Sequence, residues 1–230
     1  MGAIYLIRHG QASFGSNNYD QLSPIGHQQA TVLGQALKAR GVQPTLVNSG
    51  TMQRHIETAQ GSLAAMGCGL VPEQLPGVNE FDHENVIEVA EPRYADKLAM
   101  MSEMAASGDP RRAFQSFFKG AVSRWVSGEY AADYAESWAV FKQRAILALD
   151  DIVQRSEPKG TTLVYTSGGT ISVICAHLLG LNDHQAFTIN WTLTNAGITK
   201  VLSGRDGLHL ISINEHAHLE APDPRMLTYR

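Results

Sequence analysis

Cysteine is scarce in this chain, which has only Cys68 and Cys175 among its 230 residues. The two lie far apart in the sequence, and neither has neighbours at the spacing of metal ligands. This scarcity excludes a disulfide-rich secreted fold and a cysteine-based zinc module. We interpret both residues as buried thiols of a protein in a reducing cytoplasm.

Runs of basic residues and long apolar stretches are also missing. The formal net charge is -4 and the sequence pI is about 6.1. Without a basic cluster, neither nucleic acid nor an anionic membrane is an expected partner. With no signal-peptide pattern and no apolar run of bilayer length, we expect a cytoplasmic location. A small anion is not excluded, because it needs positive charge only locally.

The composition itself, 43% apolar and 17% charged, is typical of a globular protein. Strand and helix patterns alternate along the chain, and two or three strands are predicted between Ala186 and Ile213. The other predicted elements are strands at 3–8, 45–48, 70–74 and 161–166, and helices at 24–40, 51–66, 137–156 and 169–179. The alternation predicts an α/β fold, a three-layer α/β/α sandwich whose mostly parallel sheet carries helices on both faces.

The middle of the chain has a different pattern. Residues 84–129 show mixed helical periodicity with an interruption at 108–110, which predicts two helices. No repeat or linker divides the sequence, so we predict one domain over residues 1–230. Within it, residues 84–134 are predicted to be a helical cap insertion that closes over the leaving group of a substrate. The final residues are predicted to be irregular.

A charged tripeptide ends the first predicted strand. The apolar run at residues 5–7 is followed at once by Arg8, His9 and Gly10. Because the carboxyl ends of parallel strands meet at one edge of a sheet, three other segments are expected beside this one. They are SGTMQRHIETA with Arg54, GVNEFDHE with Glu80, and TSGGT with Ser167 and Gly168.

These residue types suit a phosphoryl group. The guanidinium groups of Arg8 and Arg54 match the geometry of a dianion. A neutral His9 can attack phosphorus if a backbone carbonyl holds its other ring nitrogen. A carboxylic acid must then protonate the leaving oxygen, and Glu80 is our candidate, with Asp82 and Glu84 in the same loop left open.

With these motifs the chain resembles the histidine phosphatase superfamily, the phosphoglycerate-mutase-like proteins. The resemblance rests on Arg8-His9-Gly10 after an apolar strand and on five further segments in the same order: LSPIGHQQA, SGTMQRHIETA, NEFD, AESWAVFKQR and NAGIT. It implies a three-layer α/β/α fold and phosphoryl transfer through a phosphohistidine at His9, with no metal and no cofactor. It also implies that Arg8 and Arg54 bind the phosphate and that Glu80 is the acid.

One position departs from the family pattern. After the strand TTLVYT the family normally has a second histidine, and here Ser167 stands in its place, followed by Gly168. A serine hydroxyl is shorter, uncharged and donates one hydrogen bond. Because removing one preorganised donor costs about 100-fold to 1000-fold in turnover, we expect either slow phosphatase activity or a substrate that itself supplies the missing stabilisation. Ser167 and the amide of Gly168 can still bind the phosphate, and Ser167→His is predicted to raise turnover.

No other histidine is predicted to take over this role. His55 follows Arg54 directly, which on a helix is predicted to point it away from the arginine's face. His83 is close to Glu80 in the chain and could reach the site from the same loop. We interpret the remaining histidines as core or surface residues.

The sequence leaves three functions open. The first is a metal-independent phosphatase that acts on a small phosphomonoester through a phosphohistidine intermediate. The second is a non-catalytic protein of the same fold that binds a phosphorylated ligand. The third is a phosphomutase, in which the phosphoryl group returns to a bound intermediate before water takes it. Each of the three has a small phosphorylated compound as its partner.

Overall fold

The computed structural model describes residues 1–13, 20–220 and 223–229. The chain divides into two compact units. The first comprises Met1–Glu80 and Arg144–Arg230, and the second comprises Phe81–Gln143. The first unit contains a β-sheet, whereas the second is helical.

The sheet has six strands in the described residues, in the order β3-β2-β4-β1-β5-β6. The strands are β1 (Gly2–Arg8), β2 (Leu46–Ser49), β3 (Glu73–Gln74), β4 (Thr161–Thr166), β5 (Ile198–Gly204) and β6 (Gly207–Glu215). The pairs β2–β3, β2–β4 and β1–β4 are parallel, and the pairs β1–β5 and β5–β6 are antiparallel. The mostly parallel sheet confirms the predicted fold class.

The helices of the described residues alternate with these strands. They are α1 (Pro24–Ala39), α2 (Gln53–Met66), α3 (His83–Ala90), α4 (Lys97–Ala106), α5 (Pro110–Ser127), α6 (Trp138–Arg155), α7 (Gly168–Leu179), α8 (Asp183–Thr192) and α9 (Ala217–Glu220). The predicted start of α1 is confirmed, because the Ser23 side chain accepts a hydrogen bond from the Gly26 amide. The predicted end of α2 is also confirmed, with Gly67 in the left-handed conformation at φ 73°.

Both faces of the sheet are buried under helices. Tyr5 and Ile7 of β1 belong to one apolar core, whose helical residues come mainly from α1 and α2. Ile4 and Leu6, which point to the opposite face, belong to a second core with residues of α6 and α7. Because successive side chains of a strand alternate between faces, one apolar strand serves two cores. This is the three-layer arrangement that the alternating pattern predicts.

The helical unit contains three α-helices, where the sequence predicted two. A short 3-10 turn at Pro92–Ala95 separates α3 from α4. The predicted break before Pro110 is confirmed, and the Asp109 side chain caps α5 by accepting from the Arg112 amide. Aromatic rings pack together within this unit, among them Phe81, Trp125, Trp138 and Phe141. That residues 84–134 cap a substrate stays a prediction.

The last part of the chain contains two strands, β5 and β6, as predicted between Ala186 and Ile213, and also a helix that was not predicted. Residues Asp183–Thr192 form this helix, α8, because Asn182 and Gln185 form a capping box that starts it. The β-branched and aromatic residues of this segment favour strand by propensity, and the local cap overrides that preference. The predicted irregular tail contains the end of α9 and one 3-10 turn at Pro224–Met226, and its other described residues are irregular.

The two cysteines differ in their surroundings. Cys175 is buried, and burial raises its pKa to about 12. Cys68 is half-buried, so the prediction of two buried thiols holds only for Cys175. Among the residues that the structure describes, no helix is both long and apolar enough to cross a bilayer.

Candidate active site

Two turns stand side by side where β1 and β4 end. The strands are adjacent and parallel, with Arg8 opposite Thr166 in their register. The next residue, His9, donates its backbone amide to the Thr166 carbonyl at 2.9 Å. The turn Arg8-His9-Gly10, called here the β1 turn, is therefore fixed beside Ser167-Gly168-Gly169, called the β4 turn.

Packing against helices holds the β1 turn. The Gly10 amide donates to Thr58 Oγ1 of α2 at 3.0 Å. A Cβ atom on Gly10 would lie 2.6 Å from the carbonyl oxygen of Gly26 in α1. The close approach of α1, and not a left-handed backbone, therefore requires glycine at this position.

His9 has the arrangement of a nucleophilic imidazole. Its Nδ1 lies 2.7 Å from the Gly10 carbonyl oxygen. Since a carbonyl only accepts, Nδ1 carries the proton and Nε2 keeps its lone pair. Burial lowers the pKa of His9 well below its usual value, and the charges of Arg54 and Arg8 and the His55 ring lower it further, against the Gly10 hydrogen bond that raises it. The ring is therefore neutral at pH 7.

Arg8 is buried and partly anchored on the main chain. Its Nη1 donates to the carbonyl oxygens of Leu193 and Tyr229, the latter at 3.1 Å. Its Nε faces the β4 turn, because a Cβ on Gly168 would lie 3.4 Å from that atom. These bonds fix the guanidinium between the two turns. A phosphoryl group would meet an arginine that is already ordered.

Arg54 is also buried, at the first turn of α2. Its Nη1 donates to Asp20 Oδ1 at 2.7 Å, and Asp20 also accepts from the Gln53 amide. Glu57, which lies on the same helix, accepts instead from the Gln53 side chain and from the Leu22 amide. Asp20 escaped prediction because it comes from a loop with no periodic pattern to place it.

Glu80 contacts the β4 turn. Its Oε2 accepts a hydrogen bond from the Gly169 amide at 3.2 Å, in the first turn of α7. The two other carboxylates of this segment have different roles. Asp82 caps α3 by accepting from the Glu84 and Asn85 amides, and Glu84 forms an ion pair with Lys97 at 2.6 Å. Of the three carboxylates in this segment, Glu80 is the one that contacts the β4 turn.

The β4 turn itself is completely enclosed. Ser167 has no exposed surface, and its Oγ lies 2.6 Å from His55 Nε2. Gly168 is buried as the first residue of α7. The amides of this turn therefore lie at a helix N-terminus, where partial positive charge favours an anion.

The prediction for His55 is wrong, because this ring lies inside the site. Its centre is 5.6 Å from the His9 ring centre. Consecutive helical residues are only 100° apart, so Arg54 and His55 can both face the sheet edge when the helix start lies over it. Burial and the charge of Arg54 lower the pKa of His55 well below its usual value. Two features of the sequence could have indicated this position of His55: the histidine missing at 167 and the additional histidine directly after Arg54.

The remaining site expectations concern His83 and metals. His83 is the first residue of α3 in the helical unit. Within residues 1–13, 20–220 and 223–229, no three His, Cys, Asp or Glu side chains come together as metal ligands would. The groups described above are two arginines and two imidazoles beside the amides of a helix start, which is a chemistry suited to an anion.

Comparisons with known proteins identify the family and the fold of this chain. The family model described as histidine phosphatase superfamily, branch 1, matches residues 4–216. No curated protein sequence matches the chain. Among solved structures, phosphoserine phosphatase from Entamoeba histolytica in complex with 3-phosphoglyceric acid is 20% identical. That alignment covers 95% of this chain and 100% of the other, with a TM-score of 0.65.

Two further structures show the same fold. Phosphoglycerate mutase from Bacillus anthracis is 20% identical, and the alignment covers 94% of each chain with a TM-score of 0.65. A mycobacterial glucosyl-3-phosphoglycerate phosphatase is 19% identical, with 93% of this chain and 98% of the other covered and a TM-score of 0.59. At this identity the likeness establishes the fold and leaves the substrate undetermined.

Proposed function

The chain belongs to the histidine phosphatase superfamily, and from this membership and the sheet-edge geometry we propose that it is a metal-independent phosphatase. Its substrate is a small phosphomonoester, and the reaction passes through a phosphohistidine at His9. Phosphatase and mutase activities both occur among the proteins whose structures it resembles. Hydrolysis is favoured here as the simpler outcome, since it needs only water as the second acceptor.

One observation carries the proposal. His9 is neutral, its Nδ1 donates to the Gly10 carbonyl at 2.7 Å, and Nε2 is left as the nucleophilic atom beside Arg8 and Arg54. Burial and the charges of the two arginines both oppose protonation of this imidazole, so the ring keeps its neutral form at pH 7. The arrangement is explained if the ring must be neutral in order to attack a dianion.

The chemistry follows from these positions. Nε2 of His9 forms a bond to phosphorus while the bond from phosphorus to the ester oxygen breaks. In its protonated form Glu80 gives a proton to that leaving oxygen, and Arg8 and Arg54 neutralise the charge on the three other oxygens. Water then attacks the phosphohistidine, its proton passes to the Glu80 carboxylate, and the phosphorus–nitrogen electron pair returns to Nε2.

Hydrolysis of p-nitrophenyl phosphate and of a metabolite panel tests the proposal. The panel includes phosphoserine and 3-phosphoglycerate, because they occur in the names of the similar proteins. We expect turnover that survives EDTA and is lost by about 10⁴-fold or more in His9→Ala, since this variant has no nucleophile. Wild-type activity in His9→Ala would contradict the proposal.

The other two functions give different results in the same assay. Thermal stabilisation by phosphate or phosphorylated metabolites without turnover of any compound would identify a binding protein. Transfer of the phosphoryl group between positions of one metabolite faster than its release would identify a mutase. Slow turnover, as expected from Ser167 alone, stays a prediction, and the contact of Ser167 with His55 bears on it.

A further inference from the structure

Ser167 occupies the N-cap of α7 without acting as a cap. A serine at this position usually accepts a hydrogen bond from an amide of the first helical turn. Here the side chain makes no such bond, and the Gly169 amide donates to Glu80 instead. The Ser167 hydroxyl is held by His55, with 2.6 Å between Oγ and Nε2. This side chain therefore has a partner unrelated to the start of the helix.

The backbone makes room for the His55 ring at this place. A Cβ atom on Gly50 would lie 2.1 Å from His55 Nδ1, so only glycine leaves space for the imidazole. Nδ1 is buried against this backbone and has no hydrogen-bond partner among the described residues, and the residue has no exposed surface. The ring thus has Ser167 as its hydrogen-bond partner, and its centre is 5.6 Å from that of His9.

These contacts decide which ring nitrogen carries the proton. Burial keeps His55 neutral, so it has a single N–H. A buried N–H without an acceptor is rare and costly, which disfavours a proton on Nδ1. The proton therefore lies on Nε2 and is donated to Ser167 Oγ. The hydroxyl hydrogen of Ser167 is then directed away from His55 and is available to a different acceptor.

The β1 and β4 turns place Ser167 beside His9 at the end of neighbouring strands. Arg8 and Thr166 are paired in the sheet, so His9 and Ser167 hold equivalent positions at the ends of neighbouring strands. The His9 amide donates to the Thr166 carbonyl, which fixes the two turns at hydrogen-bonding distance. A phosphoryl group bonded to His9 Nε2 would lie against the β4 turn, where its oxygens need donors.

We propose that His55 is a positioning residue that fixes the Ser167 hydroxyl as a hydrogen-bond donor to the transferring phosphoryl group. This inference rests on the proposed phosphatase function and deepens it. The imidazole at the β4 turn therefore belongs to α2, and it is linked to the turn by its hydrogen bond to Ser167. The pair thereby provides a preorganised donor at a position where a serine without such a partner would be free to rotate.

Two substitutions of matched size test the role of His55. His55→Leu fills the space without a donor, whereas His55→Gln keeps an N–H near the position of Nε2. With p-nitrophenyl phosphate we expect His55→Leu to lower kcat about 100-fold with KM changed less than about threefold. His55→Gln should retain within about tenfold of wild-type kcat. Melting temperatures of both variants show whether any loss follows stability instead of hydrogen bonding.

A double-mutant cycle with Ser167 tests whether the two residues act as a unit. Ser167→Ala should lower kcat about as much as His55→Leu, and the double variant should be no slower than the slower single variant. Additive losses, or equal kcat in His55→Leu, His55→Gln and wild type, would overturn the inference. If a His55 variant proves unfolded, the kcat of Ser167→Ala decides, since this variant removes one oxygen atom and leaves His55 in place. An unchanged kcat would then overturn the inference.

His9→Ala in the same assay distinguishes failure of the proposed phosphatase function from failure of the inference about His55. Activity that persists in His9→Ala, or an inactive wild type, overturns the proposed function and the inference with it. Activity that depends on His9 but is unchanged in His55→Leu and Ser167→Ala overturns only the inference. Loss in all three variants, with His55→Gln active, supports both.

Discussion

The β1 turn and the β4 turn are equivalent in the sheet, yet they are built differently. Each follows a buried parallel strand, and Arg8 of one strand is paired with Thr166 of the other. The β1 turn carries its own imidazole, with Nδ1 of His9 bound to the carbonyl of the next residue. The β4 turn carries a serine, and its imidazole comes from α2 through a hydrogen bond of 2.6 Å.

The difference teaches that a sheet edge fixes where a functional group is needed but not which element must supply it. At the β1 turn, backbone geometry alone orients the ring. At the β4 turn the α2 helix, which also provides Arg54, delivers the second ring, and the Gly169 amide holds Glu80. One turn is thus expected to bring the nucleophile, and the other to gather the acid and a donor from elsewhere in the chain.

The largest effect expected at the β4 turn comes from Glu80→Gln. If Glu80 protonates the leaving oxygen, kcat should fall about 10²-fold to 10⁴-fold for an alkyl phosphomonoester. The loss should be smaller for p-nitrophenyl phosphate, because nitrophenolate leaves without full protonation. Initial rates on both esters measure this contrast.

Glu84→Gln is the matched control for that experiment. Glu84 is exposed and forms an ion pair with Lys97. The kcat of Glu84→Gln on either ester should remain within about twofold of wild type, since a surface ion pair contributes little to stability. A large loss in Glu84→Gln together with normal rates in Glu80→Gln would transfer the role of acid to the other carboxylate.

Moving the imidazole into the β4 turn sharpens the comparison further. The sequence alone predicted that Ser167→His raises turnover. For the single variant we expect the opposite, because His55 Nε2 lies 2.6 Å from Oγ and a second ring on residue 167 would have to compete for that place. We expect Ser167→His to lower the melting temperature and kcat, since overpacking of a buried site costs about 1–3 kcal/mol.

Removal of the resident ring should relieve that clash. The double variant His55→Ala/Ser167→His has one imidazole at the β4 turn, now attached to the turn itself. We expect its kcat to exceed that of His55→Ala by about tenfold or more, measured with p-nitrophenyl phosphate. Faster turnover in the Ser167→His single variant would show that the space beside Ser167 is larger than the contact indicates.

The pH dependence of stability tests the same two imidazoles without any substrate. The pKa values of His9 and His55 are both lowered in the folded protein, whereas in the unfolded chain each is near 6.5. As the pH falls below about 6.5, the unfolded chain takes up protons that the folded protein does not bind. The free energy of unfolding should therefore decrease, by up to about 1.4 kcal/mol per pH unit for each imidazole.

Urea denaturation between pH 7.5 and 5 measures this slope. His9→Asn and His55→Asn should each show a shallower decline than wild type, and the double variant the shallowest. His218, whose pKa burial also lowers, and the acidic groups contribute equally to all four proteins. Identical slopes in wild type and the double variant would mean that the two rings are protonated in the fold as readily as in the unfolded chain.

Local patterns predicted the first unit well. The ends of β4 match the prediction, and the Ser23 cap and Gly67 left-handed terminus are confirmed, because each depends on residues close in sequence. The α8 helix was missed because its capping box competes with strand-favouring residues. In the helical unit the sequence detected the break before Pro110 but not the turn at Pro92–Ala95.

The residues of the candidate site also divide into those that the sequence could identify and those that it could not. Arg8, His9 and Gly10 could be found because they follow directly on an apolar strand whose end the sequence marks. His55 and Asp20 could not, since helical periodicity tells which residues share a face but not what that face meets. Their roles depend on the contact of α2 with Ser167 and on the loop that brings Asp20 to Arg54.

By itself the sequence determined the alternation of strands and helices, and with it the edge at which charged residues collect. Only the tertiary structure decided that an imidazole from α2 lies against Ser167 and that Asp20 pairs with Arg54. The physical reason is range: hydrophobic periodicity and helix caps act over a few residues. A hydrogen bond between residues 112 positions apart exists only after packing has placed α2 beside the end of β4.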